Sequence, residues 1–169
     1  PKPVLTTSEA ITRAIADATA SDSCVGVVAW MHTFSPSQMW LPGLKLLGKP
    51  IAHLHTQFNR EIPWDSLDLD YMYLHQSAHG GREFGFAATR LGTPRKVIVG
   101  HWKDADVQSE LGAWSTVALA HADARRGRIA RFGDNMRRVA VTEGNKVTAR
   151  ATFGYSVEGF GVGDLVEYV

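Results

Sequence analysis

The fold is decided by residues 95–132, which read RKVIVGHWKDADVQSELGAWSTVALAHADARRGRIARF. Arg95–Gly100 is a short apolar run typical of a parallel strand that is buried on both faces. A helix is expected next, because Asp104 can cap its start and Arg125–Gly127 supplies the cationic and glycine residues that often end a helix. Arg128–Phe132 then predicts a further strand. This strand, helix, strand order predicts a parallel sheet.

The same alternation occupies the earlier part of the chain. Two further strands are predicted, at Cys24–Trp30 and Ile51–His55, between stretches of helical periodicity. The helical stretches that connect successive strands are too long for hairpins, so they favour right-handed crossovers with helices on both faces of the sheet. We therefore predict a three-layer α/β/α flavodoxin-like parallel sheet over residues 1–136, incomplete at its N-terminus.

Residues 137–169 follow a different pattern. After a turn that contains glycine and asparagine, apolar residues alternate with polar ones from Val147 to Phe153. A period of two residues is typical of strands with one buried face. We predict that antiparallel strands begin a second, β-containing domain here.

The composition excludes several classes of protein. The chain has 169 residues, is 44% hydrophobic and carries a formal net charge of +1 without a continuous basic stripe, so neither disorder nor nucleic-acid binding is expected. No apolar run approaches the ~20 residues that cross a bilayer, so no membrane partner is expected. The single cysteine, Cys24, fits a reducing compartment, and we expect a cytoplasmic protein.

Two groups of basic side chains each allow two interpretations. The densest basic run comprises Arg125, Arg126, Arg128 and Arg131. These arginines either complement the negative end of a helix or bind phosphate, and the first interpretation is favoured. His53 and His55 lie on the same face of a strand, where they either begin a metal site or form ordinary hydrogen bonds. No carboxylate stands at a supporting spacing, which favours ordinary hydrogen bonding.

Chemistry is expected where the strands end, because ligands of open α/β sheets gather beyond the carboxyl ends of the strands. Gln76 and His79 are three residues apart, before a glycine pair and a helix predicted to begin at Arg82. They either bind the hydroxyls of a small polar ligand or cap the helix, and the pattern does not decide between these roles. Phe34 and Met136 follow strands and are either core residues or the apolar wall of a small-molecule pocket. No zinc, phosphate-loop or nucleophile-elbow motif is present.

Several longer strings resemble bacterial L-arabinose isomerase, in the same order. They are Trp30–Pro36, His55–Asn59, Gln76–Phe86, Gly100–Trp102 and Arg131–Arg137. The similarity runs from about Thr6 to Val166, so it covers nearly the whole chain. The sequence resembles an internal segment of the longer enzymes of that family.

The resemblance implies an aldose–ketose isomerase that interconverts L-arabinose and L-ribulose, with conversion of D-galactose to D-tagatose as a side activity. It implies a Mn²⁺ cofactor held by two glutamates and two histidines outside this chain, with the glutamates moving the proton through an enediol. Such chemistry needs a metal to polarise the oxygens and carboxylates to transfer the proton. It also implies self-association into a hexamer, in which the pocket is built between subunits.

When the roles of the family's residues are assigned to the matching positions of this chain, only residues in the wall of the sugar pocket are matched. Phe34, Gln76, His79 and Met136 match family positions that line this pocket, which implies substrate binding and assigns no residue of the chain to the metal or to catalysis. The isolated segment is therefore expected to be inactive. One alternative is a truncated, non-catalytic sugar-binding or assembly module of the same family. A more distant alternative is a specificity like that of fucose isomerase, for a deoxysugar.

Overall fold

A computed structural model describes residues 3–142 and 144–169 of the chain. The helices are α1 (Ser8–Ala20), α2 (Leu41–Leu46), α3 (Leu69–Leu74), α4 (Ser77–Arg90), α5 (Ala105–Ala124), α6 (Lys146–Phe153) and α7 (Val162–Val166). The strands are β1 (Val27–Ala29), β2 (Ile51–His55), β3 (Lys96–Val99), β4 (Arg128–Phe132) and β5 (Ser156–Phe160). Contacts divide the chain into two units, the first ending at Ala118 and the second beginning at Leu119.

The first unit is built on a parallel sheet with the strand order β1–β2–β3. Ala29 of β1 pairs with His53 of β2, and His53 pairs in turn with Val97 of β3. Because the three strands are parallel, their carboxyl ends lie at the same edge of the sheet. The loops that leave these strands are therefore placed beside one another.

Helices cover both faces of this sheet. One apolar cluster consists of Ala29, Met31, Leu44, Ile51, Phe84 and Ala88. The other consists of Leu54, Ile98 and Val107. Because Ile51 and Leu54 are three residues apart in one strand, their side chains point to opposite faces. The first cluster thus packs α2 and α4 on one face and the second packs α5 on the other, which confirms the predicted three-layer α/β/α parallel fold.

The second unit contains a separate parallel pair, and the prediction of antiparallel strands is wrong. β5 runs parallel to β4, with Arg128 opposite Ser156. The alternating stretch forms helix α6, which begins where Asn145 Oδ1 accepts a hydrogen bond from Thr148 N at 2.8 Å and ends at Gly154 with φ of +91°. None of the residues of α6 is buried, so no core selects a two-residue period, and the two helix-end residues determine the structure.

The fourth strand also has an unexpected neighbour. β4 was predicted to follow the other parallel strands of the first domain, and it is hydrogen-bonded to β5 in the second unit. By its contacts, that unit begins at Leu119, whereas the sequence predicted a domain boundary after Met136. The domain ranges 1–136 and 137–169 stay a prediction. Within residues 3–142 and 144–169, no helix has both the length and the apolar character needed to cross a membrane.

Candidate functional site

The end of β1 and the start of α4 bring two of the predicted site residues into contact. The ring centroids of Phe34 and His79 are 4.6 Å apart, with an angle of 45° between the ring planes. Phe34 keeps 47% of its surface exposed and His79 is exposed as well, so both rings can still contact a ligand. The pair presents an apolar surface beside an imidazole that can donate or accept a hydrogen bond.

Gln76 immediately precedes α4, three residues before His79. Its main-chain oxygen accepts hydrogen bonds from His79 N at 3.1 Å and from Gly80 N at 3.2 Å. Its side chain makes no capping hydrogen bond, although the residue occupies the N-cap position. The amide is therefore not used by the helix, and it retains a donor and an acceptor group beside His79.

A pair of glycines allows α4 to approach the strand exits closely. The helix already includes Gly80 and Gly81, so it begins earlier than the predicted start at Arg82. A Cβ atom on Gly80 would lie 2.3 Å from Thr33 O, and one on Gly81 would lie 2.8 Å from His55 Nε2. Both distances are far below van der Waals contact. At Gly80 the neighbour is main chain, so only glycine permits this packing, whereas at Gly81 the side chain of His55 would have to shift. The glycine pair thus lies inside α4, where it allows the helix to contact the strand exits.

The exits of β2 and β3 form a second polar region. Trp102 N–H donates to Thr56 Oγ1 at 2.9 Å, and Trp102 Nε1 donates to Phe58 O at 3.1 Å, so the two loops are joined. A cavity of about 300 Å³ opens beside them. Its polar lining includes His55, Gln57, Arg60, Ser77 and His101. The polar strand exits that the sequence indicated are thus adjacent in the structure.

The histidine pair on β2 does not fit a metal site. The rings of His53 and His55 are stacked with centroids 5.4 Å apart, and His53 also packs against Phe84 at 4.9 Å. His53 is 2% exposed, and its Nε2 has no hydrogen-bond partner among the described residues. Burial, followed by the charges of His55 and Arg95, lowers the pKa of His53 to about 4.

The pair therefore differs from both interpretations made from the sequence. His53 is a neutral, buried histidine whose Nε2 makes no ordinary hydrogen bond. In the part of the chain that the structure describes, no three His, Cys, Asp or Glu side chains are grouped so that they could hold a metal ion. None of the described residues is therefore assigned to a metal.

The arginine run near β4 is engaged in ion pairs. Arg128 binds Glu158 through two hydrogen bonds, Nε to Oε1 at 3.0 Å and Nη2 to Oε2 at 2.7 Å. This contact lowers the pKa of the Glu158 carboxyl and raises that of the Arg128 guanidinium. Arg131 lies 3.7 Å from Asp134. Two of the four arginines thus pair with carboxylates, which disfavours a phosphate-binding patch.

The last predicted site residue, Met136, belongs to the second unit. The chain leaves β4 through Gly133 with φ of +83°, a conformation that favours glycine, and Met136 follows with 65% of its surface exposed. The geometry of the first unit brings Phe34 and His79 into contact, and the main-chain oxygen of Gln76 accepts a hydrogen bond from His79 N.

One contact at this site could not be predicted from the sequence. Glu83 Oε1 accepts a hydrogen bond from Ser37 N at 2.9 Å, and the two residues are 46 positions apart. No local spacing signals such a contact. Glu83 stands four residues after His79 in α4, which places both on one face of the helix.

The first unit is thus an open parallel α/β sheet, an architecture in which ligands commonly bind beyond the carboxyl ends of the strands. Comparison with known proteins narrows this architectural class. A sequence model of the L-arabinose isomerase N-terminal domain matches residues 1–126, and one of the L-arabinose isomerase central domain matches residues 128–169. The chain belongs to the L-arabinose isomerase family.

Individual relatives agree with the family models. The chain is 59% identical over 168 residues to the L-arabinose isomerase of Geobacillus kaustophilus (strain HTA426), covering 99% of this chain and 34% of the relative. It is 58% identical over 168 residues to the L-arabinose isomerase of Herpetosiphon aurantiacus, with the same coverage of both. The chain thus spans about a third of the length of the curated relatives it matches.

Proposed function

We propose that this chain forms part of the substrate pocket and subunit interface of an isomerase that interconverts L-arabinose and L-ribulose. Conversion of D-galactose to D-tagatose is the proposed side activity. The observation that carries the proposal is the identity of 58–59% to L-arabinose isomerases over 99% of the chain. The polar strand exits of the first unit support it, because sugars are bound through directed hydrogen bonds and apolar ring contacts.

In this proposal the chain binds and orients the sugar. Gln76 and His79 exchange hydrogen bonds with its hydroxyl groups, and Phe34 packs against its C–H surface. Met136, which belongs to the second unit, is proposed separately as a sugar-contacting residue. The contact between the Phe34 and His79 rings at 4.6 Å supports a shared role for these two side chains. No residue of this chain is assigned to proton transfer.

Mn²⁺ is the proposed cofactor, and its ligands are proposed to lie outside this chain. The stacked His53 and His55 do not fit a metal ion, because His53 is buried against Phe84. A bound divalent ion would polarise the sugar oxygens during isomerisation. The proposed role of this chain's residues is to hold the substrate in place while the reaction occurs.

We further propose self-association, with a hexamer as the assembly. The segment between β2 and α4 supports this proposal, because it exposes eight large apolar or aromatic side chains within 17 residues. They are Phe58, Ile62, Trp64, Leu67, Leu69, Met72, Tyr73 and Leu74. Exposed apolar surface of this density is typical of protein interfaces. The segment leads directly into Gln76 and His79, so these residues are proposed to act at the active site of a neighbouring subunit.

The cytoplasm is the proposed site of action. The single cysteine of the chain, Cys24, is a free thiol. A free thiol is typical of the reducing cytosol, where disulfides are rare.

The proposed activity is tested with a polypeptide that contains this sequence and has the length of the relatives. This polypeptide is expected to form L-ribulose from L-arabinose in the presence of Mn²⁺, to lose this activity with a chelator and to convert D-galactose more slowly. Absence of ketose formation from both sugars would refute the proposal. Turnover of L-fucose in place of L-arabinose would indicate the deoxysugar specificity considered from the sequence.

The alternative is that these 169 residues act as a sugar-binding or assembly module without catalysis. The 169-residue chain alone is then expected to bind L-arabinose, measured by calorimetry, without turning it over. Isomerase activity of the chain alone would refute this alternative.

A further inference from the structure

We propose that Glu83 is a positioning residue that fastens the loop after β1 to α4 and thereby holds Phe34 beside His79. The loop comprises residues 33–37 and is called the β1 exit loop below. The relevance of this contact for a sugar rests on the proposed function. The link between Glu83 and the placement of the two rings rests on the structure of the first unit alone.

The contact is a hydrogen bond from a buried main-chain donor to a carboxylate. Ser37 is 1% exposed, and its N–H donates to Glu83 Oε1 at 2.9 Å. Glu83 is half-buried, so water competes only partly for its carboxylate. Hydrogen bonds to a charged acceptor are about twice as strong as neutral ones. A buried N–H left without a partner is also costly.

The other hydrogen bonds of the β1 exit loop do not attach it to α4. Ser37 Oγ donates to Ser35 O at 3.2 Å, and Ser35 Oγ donates to Thr33 O at 3.2 Å, so these bonds shape the loop internally. Thr33 Oγ1 donates to Tyr73 O of α3. Among the described residues, the bond of Glu83 is the hydrogen bond that joins this loop to α4.

The geometry of α4 places the hydrogen bond between Glu83 and Ser37 next to the contact between the Phe34 and His79 rings. His79 and Glu83 are four residues apart and share one helix face, and Phe34 and Ser37 are the two loop residues that they contact. Gly80 lies against Thr33 O at the same face, so the loop is held close to the helix backbone. Loss of the hydrogen bond at Ser37 would detach the β1 exit loop from α4 close to Phe34.

Four variants separate the hydrogen bond from other roles of the residue. Glu83→Ala removes the acceptor, and Glu83→Gln keeps an amide oxygen at the same distance along the side chain. Ser37→Pro removes the N–H donor and also the hydroxyl that donates to Ser35 O, so it is compared with Ser37→Ala, which removes only the hydroxyl and is expected to keep the ring contact. Proline is compatible with the first position of the turn Ser37–Trp40, and the extended ψ of 99° at Pro36 suits a residue before proline. Glu9→Ala, on the exposed first turn of α1, is the matched control.

The first measurement is the nuclear Overhauser effect between the ring protons of Phe34 and His79 in the 169-residue chain. We expect a strong signal in the natural chain, in Glu83→Gln and in Glu9→Ala. We expect its loss in Glu83→Ala and in Ser37→Pro, with the methyl signals of the core unchanged. A retained ring contact in Glu83→Ala would overturn the proposal. If Glu83→Ala fails to fold, Ser37→Pro decides the question in the same way.

The second measurement is the steady-state kinetics of the longer polypeptide with L-arabinose. Glu83→Ala is expected to raise KM about tenfold, which corresponds to ~1.4 kcal/mol, while kcat changes less. Glu83→Gln is expected to restore KM to within about threefold. An unchanged KM in Glu83→Ala would overturn the positioning role for the sugar. If the natural polypeptide shows no isomerase activity, the proposed function fails, and the ring contact still tests the role of Glu83.

Discussion

Replacement of Gly80 by alanine tests whether the glycine pair exists to bring α4 against the exit of β1. A Cβ atom at this position would lie 2.3 Å from Thr33 O, 3.0 Å from Ser35 N and 3.1 Å from Met31 Cβ. Two of these atoms belong to the main chain, so they cannot move aside by a side-chain rotation. Relief of the contact requires the β1 exit loop and α4 to separate by about 1 Å, because carbon and oxygen atoms pack at roughly 3.4 Å.

The size of the effect follows from two opposing terms. Overpacking of a tight site costs about 1–3 kcal/mol, and main-chain clashes lie at the upper end of this range. Alanine favours a helix interior over glycine by about 1 kcal/mol. We therefore expect Gly80→Ala to lower the free energy of unfolding by about 2 kcal/mol. Gly112→Ala in α5 is the matched control, because a Cβ there has no neighbour within 4 Å and is expected to stabilise by about 0.5–1 kcal/mol.

Urea denaturation of the 169-residue chain, followed by tryptophan fluorescence and circular dichroism, measures both variants. The ring contact between Phe34 and His79 should weaken in Gly80→Ala and persist in Gly112→Ala. If Gly80→Ala is as stable as Gly112→Ala, α4 does not pack against the β1 exit loop as described, and the reasoning is wrong.

Three further predictions concern a substitution, a pH dependence and a helix end. Gly81→Ala should destabilise less than Gly80→Ala, because its Cβ meets only the side chain of His55, at 2.8 Å; equal losses in urea denaturation would contradict this. Burial lowers the pKa of His53 from its ordinary 6.5 to about 4 in the folded chain, so the free energy of unfolding should fall by about 3 kcal/mol as the pH decreases from above 6.5 to 4. His53→Leu should remove this part of the pH dependence, whereas the exposed control His121→Gln should retain it; the same pH profile in both variants would refute the assignment. Gly154→Ala should cost about 1–3 kcal/mol, because φ is +91° and the Cβ would lie 2.8 Å from Arg125 Cα, whereas Gly144→Ala, with no neighbour within 4 Å, should be nearly neutral; no loss in thermal denaturation would argue against helix α6.

The parallel sheet could be predicted because its signal is local. Ile51–His55 and Arg95–Gly100 are apolar runs of strand length, and the structure forms β2 and β3 within them. Helix α5 was equally predictable, since its expected start and end residues bracket Ala105–Ala124. Burial on both faces explains the composition of β2, but the prediction of burial on both faces is wrong for β3, where Val97 and Val99 are exposed on one face and only Ile98 is buried.

The contradicted prediction has a local cause. Alternation from Val147 to Phe153 indicated a strand, yet Asn145 and Gly154 were present in the sequence as helix-start and helix-end residues. A short alternating run is a weak signal when no core contacts it, so the end residues should have carried more weight. The pairing of β4 with β5 depends on contacts between distant residues, which periodicity does not encode.

The candidate site was predictable in its residue types and unpredictable in its assembly. Polar residues at strand exits followed from the fold class, and the resemblance singled out Phe34, Gln76, His79 and Met136. The early start of α4 and the bond between Glu83 and Ser37 are tertiary effects. Helix propensity alone disfavours Gly80 and Gly81 inside a helix, and close packing against Thr33 and His55 explains them.

The most direct test of the account is the KM for L-arabinose of His79→Ala in the longer polypeptide, measured beside His121→Ala. His121 is an exposed histidine near the end of α5, in the second unit. If the exit of β1 and the start of α4 form the sugar-facing wall, His79→Ala raises KM at least about tenfold, as expected for loss of a hydrogen bond to substrate. His121→Ala then leaves KM unchanged. Unchanged catalytic efficiency in His79→Ala would contradict the account.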